Sequence, residues 1–252
     1  MARLSRNGIV AMIAAGAFLA APGQVLTAGP AQILVAGHWL NLPIPAGYCS
    51  LDPQSPVDAE FMDLQARGAL SLGRHLLLVF ANCDELIAAH HSKRQVFSYG
   101  SYDVTIVEHE AYELPEALLP AEFISALSRK HGSFDRAAAD TALHAKAGIG
   151  DDISGTYASE PDATYLATLT SLPAVKPRRA ALPVLAMTVT TTIGRVPIVT
   201  SIVSFETDFG KFDELFAQAK SVVGALHAAN SVPQSVATRR ARPARRTKAV
   251  GY

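Results

Sequence analysis

The chain has 252 residues, with 22 basic and 22 acidic side chains and 49% hydrophobic residues. Its neutrality is a composite: eight of the basic residues lie in two end segments that hold no acid, so the remainder carries 14 basic against 22 acidic residues, a net charge of about −8. An acidic body argues against a dedicated nucleic-acid-binding role, which needs Lys and Arg clustered against phosphate.

At the N-terminus, Arg3 and Arg6 precede an unbroken apolar run from Gly8 to Ala21, which Pro22 and Gly23 end. Leu26-Thr27-Ala28 then offers a small residue for cleavage. This is the layout of a secretory signal peptide over residues 1–28. An uncleaved membrane anchor is the alternative, but the run falls short of the roughly 18 residues that cross a bilayer as a helix. No second long apolar run follows, so the mature chain is expected in the periplasm with no transmembrane span.

Residues 29–230 read as one domain. Gln32 to Asn41 is apolar and β-compatible, and Pro43 and Pro45 close it; PIPAGYCSLDPQ reads as a loop. Ser55 and Pro56 start a helix to about Ala69, with Phe61, Leu64 and Gly68 on one face. Arg74 to Ala81 has strand length. Asn82 opens the next helix, and Glu85 sits where it can reach back to the cap. Val96 to His109 is rich in β-branched and aromatic residues. Helices are expected over Pro120–His131, with Phe123, Ile124 and Leu127 inward, and over Phe134–Ala147.

The last third reads as β. Strands are expected over Ile153–Ser159 and Thr164–Leu172, around Pro161-Asp162, and over Val184–Ile193 and Val196–Phe205, around Gly194-Arg195. A closing helix starts at Asp208, with Phe212, Leu215, Phe216, Ala219, Val222, Val223 and Leu226 at helical spacing. Residues 231–252 read as a disordered basic tail. Its cations, Arg239, Arg240, Arg242, Arg245, Arg246 and Lys248, can touch an anionic surface. The fold expected is α+β, a mostly antiparallel sheet covered by helices.

Two stretches carry a family resemblance. The strand leading into LPIPAGYC resembles the opening of PsbP-like domains, and VLAMTVTTTIGRVPIVTSIVSFE followed by FDELFAQAKSVVGALHAAN resembles their end. The chain is also similar to exported bacterial proteins with a Pro-Ala-Gly-aromatic-Cys…Phe-Ala-x-Cys pattern. The resemblance spans roughly Ile33 to Asn230. It implies an α/β/α sandwich and a non-catalytic assembly or binding role, and it assigns no ligand-binding residue.

The candidate sites are few. Two cysteines in an exported chain favour a Cys49–Cys83 disulfide, and no C-x-x-C motif points to a redox site. Cys83, His90 and His91 lack a recognised metal spacing, as does Glu108-His109-Glu110, whose glutamates would share one face of a strand. Asp84-Glu85 and Asp151-Asp152 read as helix-start and loop acids. GIGDDISG has neither a dinucleotide nor a P-loop spacing, and no G-x-S-x-G occurs. No cofactor is indicated. The reading is a periplasmic accessory or protein-interaction module with an envelope partner and no catalytic residue. The alternatives are an envelope hydrolase or small-ligand binder, for which His109, Glu108 or Asp152 would converge with a serine, and a surface protein held by its basic tail.

Overall fold

The structure is a computed structural model that describes residues 31–92, 96–144, 152–172, 182–205, 208 and 210–231. The proposed signal segment, the six tail cations and Asp151 lie outside these residues. Among the described residues the strands are β1 (Ala31–Val35), β2 (His38–Leu42), β3 (Tyr48–Ser50), β4 (Arg74–Asn82), β5 (Ser98–Val107), β6 (Glu110–Ala111), β7 (Ile153–Glu160), β8 (Ala163–Leu172), β9 (Leu182–Ile193) and β10 (Val196–Ser204). The helices are α1 (Pro56–Ser71), α2 (Cys83–Ser92), α3 (Pro120–Lys130), α4 (Arg136–His144) and α5 (Lys211–Asn230). None of them is long and apolar enough to cross a membrane.

The main sheet runs β3-β4-β5-β10-β9-β8-β7, with β6 paired to β5, and its strand pairs are antiparallel. Period-two alternation divides its side chains between two faces. On the back, Tyr102, Ile198, Ile202, Met187, Leu185, Tyr165 and Leu169 join one core with Phe212, Leu215, Ala219, Val222 and Leu226 of α5. Full burial of each such side chain stabilises the fold by about 1.5–3 kcal/mol. Phe134 and Ala139 at α4, and Val35, Leu40 and Leu42 of the β1–β2 hairpin, complete that layer. Asn230 fastens the hairpin to α5: its Oδ1 accepts from Asn41 N at 2.9 Å and its Nδ2 donates to Asn41 O at 2.8 Å.

The front carries a second, smaller core of Leu51, Val79, Ala81 and Leu86, packed by Phe61, Met62 and Tyr99 from α1 and β5. At the other end of this face Thr164 and Thr190 point away from α5 yet are buried, as is Ile124. The helix touching β7, β8 and β9 there is α3. The front layer is therefore split, with α1 and α2 over one end and α3 over the other.

Four local expectations change. Gln32–Asn41 is two strands, because Ala36 and Gly37 take φ of 48° and 79° and make a two-residue hairpin turn. Tyr48–Ser50, read as loop, pairs with Phe80–Asn82. Glu108 and His109, read as strand, take φ of 52° and 72° and form the β5–β6 turn, so Glu108 and Glu110 do not share a strand face. Leu64 and Gly68 are exposed, and α1 instead packs through Asp58, Phe61, Met62 and Ala69.

Candidate functional site

The most built part of the surface is a groove of about 400 Å³ on the front, at the end of the sheet where β5 begins and β10 ends. One wall is α1, through Val57, Phe61 and Leu64. The other holds Phe97, Phe205 and Leu182, while Ala81, Leu86 and Ala89 lie at the base beside α2. Phe61 stands edge-on to Tyr99 at 5.0 Å between centroids, and Phe97 and Tyr99 each lie 6.2 Å from Phe205, so the groove is backed by one aromatic cluster. Val57, Leu64 and Phe97 are 50%, 56% and 41% exposed, which leaves a contiguous apolar surface open to water.

Local chemistry holds these walls in place. Ser55 caps α1, its Oγ accepting from Asp58 N, and Pro56 occupies the first turn. Asn82 caps α2, its Oδ1 accepting from Asp84 N and Glu85 N. Cys49 and Cys83 are bonded, S–S 2.02 Å, tying the start of α2 to β3. At the far end of α2, His90 Nε2 sits 2.5 Å from Asp58 Oδ1, and Asp58 Oδ2 accepts from Asp52 N. Asp58 is almost wholly buried, so this pair fastens α2 to α1 across the base of the groove. That accounts for His90, which sequence spacing left without a role; His91 is exposed.

Glu85 does not close a capping box. Its Oε2 accepts from Phe97 N at 2.7 Å and Ser98 N at 2.8 Å, reaching forward to the start of β5. Charge-assisted bonds of this kind contribute about 1.5–3 kcal/mol each when buried, and less here because the bond to Phe97 N is open to solvent. They also set the backbone of Phe97, which then bonds Phe205 N through its carbonyl. Glu85→Ala is expected to lower stability by about 2 kcal/mol in a denaturant titration and to loosen the Phe97 wall. A change below half a kcal/mol would show that the carboxylate does not hold that segment.

A titratable group is also buried on the front face. Asp103 on β5 lies between Leu76 and Val199 on the neighbouring strands. It is 4% exposed; Ser101 Oγ donates to its Oδ2 at 3.0 Å, and its Oδ1 has no hydrogen-bond partner. Burial pushes its carboxyl up to about 6, against the opposing pull of Ser101, Arg74 and His75.

The hydrolase constellation does not assemble from the residues expected to supply it. Glu108 and His109 turn at the end of β5, whereas Asp152 precedes β7 at the opposite end and edge of the sheet, taking a hydrogen bond from Thr170 Oγ1. A different acid–His–hydroxyl set does gather: His227 Nε2 lies 2.8 Å from Thr191 Oγ1 and 3.8 Å from Asp162 Oδ2. Both partners meet the same ring nitrogen, so neither orients the ring for the other. The Thr191 hydroxyl donates to Asp162 O and is wholly buried, so it is a tie between β9 and α5 rather than a nucleophile. Among the described residues no group of three His, Cys, Asp or Glu side chains can hold a metal ion.

No protein-family model, curated protein or solved structure matches this chain.

Proposed function

We propose that this protein is an exported, non-catalytic protein-interaction module that binds through the α1–α2 groove. The groove itself carries the reading: large apolar side chains stand half-exposed on walls held by a disulfide, the His90–Asp58 hydrogen bond and a helix-to-strand carboxylate bridge. A surface fixed in this way loses little conformational freedom on binding. The Cys49–Cys83 bond favours an oxidising compartment such as the periplasm. Helices on both faces of an antiparallel sheet suit a PsbP-like α/β/α sandwich, whose members are mainly assembly or binding modules; fold alone does not decide function.

A fluorescent apolar dye tests the site. The native protein is expected to bind anilinonaphthalene sulfonate at one saturable site that Leu64→Arg abolishes. Leu70→Arg, at a 65% exposed position outside the groove, should leave it intact. No saturable binding, or equal loss in both variants, removes the groove as the functional surface.

A further inference from the structure

The walls of the groove also specify the shape and charge order of what would fill it. Val57, Phe61 and Leu64 are spaced i, i+4 and i+7, so the apolar wall runs along the axis of α1. A volume of about 400 Å³ accepts a few apolar side chains, not the backbone of a helix. Such a cleft suits knobs projecting from an element that lies across its mouth, as in helix-in-groove recognition.

The rim adds polarity. Glu60 and Arg67 both line the groove, and neither has an ion-pair partner among the described residues. They lie seven residues apart on α1, about 10 Å along its axis, too far to pair with each other. Asp58, the remaining charged lining residue, is already satisfied by His90 and Asp52 N. A fatty acid or other single-headed amphiphile would use Arg67 and leave Glu60 unanswered. A helix carrying an acid and a base two turns apart answers both.

We infer that the groove receives the apolar edge of an amphipathic helix from another protein, with an acidic residue at Arg67 and a basic residue two turns away at Glu60. The inference rests on the groove being the functional surface, as proposed above.

Two synthetic helical peptides test it by fluorescence anisotropy against the folded chain. Both carry leucines at i, i+4 and i+7; one has Glu and Lys seven residues apart, and the other has glutamine at both positions. The charged peptide is expected to bind about five-fold more tightly, and the E60Q/R67Q variant should abolish that preference. Equal binding of both peptides, or a preference that the double variant leaves unchanged, overturns the charge pairing and with it the inference. If neither peptide binds while the dye still does, the helical partner is wrong and the groove reading survives; saturable binding of dodecanoate would then identify a small amphiphile instead. Loss of dye binding as well would remove both.

Discussion

Replacing Cys49 and Cys83 with serine is expected to lower the stability of the folded chain by about 4 kcal/mol and its Tm by on the order of 10 °C. The bond closes a loop of sequence separation 34. In the chain-entropy account, a crosslink of that span removes about 4 kcal/mol of freedom from the unfolded ensemble. The location adds a local effect. Cys83 is the first residue of α2, and its backbone N–H bonds Gly47 O across to the β3 segment. Without the crosslink, the start of α2 is held by that bond, by the Asn82 cap and by Glu85. Dye binding at the groove should therefore weaken along with stability. Urea titrations of the native, reduced and double-serine proteins check both effects. A difference below about 1 kcal/mol would mean that the unfolded chain is already restricted at this loop, or that the oxidised form does not persist.

Asp103→Asn is expected to stabilise the protein at pH 7, by on the order of 2–3 kcal/mol. The native carboxyl titrates near 6 against an ordinary value of 3.8, so the folded state binds its proton more tightly than the unfolded state. A raised acid supports the fold while protonated. The advantage is full below about 4, declines as pH rises toward 6, and is gone above that. At neutral pH the buried carboxylate is a net cost, with one oxygen lacking a partner. Asparagine keeps the shape and an acceptor for Ser101 without the charge. The gain over wild type should shrink toward zero as the pH is lowered through this window. Thermal melts of both proteins at matched pH values decide the matter: a gain that stays constant from pH 4 to 7 would show that Asp103 is not the titrating group.

The elements that could be read in advance are those whose signal is local. The β9–β10 hairpin carries Gly194, with a φ of 61°, between two β-branched runs, and α5 repeats its buried residues at helical spacing with no competing pattern. The Ala36-Gly37 turn is masked in the sequence by the apolar residues Ile33–Val35 before it and Trp39-Leu40 after it. The Glu108-His109 turn carries no glycine or asparagine to mark it; tertiary pairing of β6 with β5 imposes its positive φ values.

The site itself was illegible for a different reason. The cysteine pair was nameable from composition and compartment, whereas Asp58 and His90 are 32 residues apart on separate helices. Glu85 has the correct offset for a capping box, yet its carboxylate goes to backbone donors beyond the helix, a choice no local pattern records. Leu64 looked like a core residue because helical periodicity reports which face is apolar, not whether anything covers it. The groove draws on residues from Leu51 to Phe205, and only the folded sheet brings them together.

The clasp between Asn41 and Asn230 has a consequence in time. These residues are 189 apart in sequence, and they join the first described hairpin to the last described helix. A chain that emerges N-terminus first presents Leu40, Leu42 and Tyr102 long before α5 exists to cover them. Closure of so distant a contact is slow, and the apolar back of the sheet stays open in the interval. Helix α5 thus acts as the bolt of the structure: deleting residues from 211 onward would leave a sticky sheet, prone to aggregation, rather than a shorter version of the same protein.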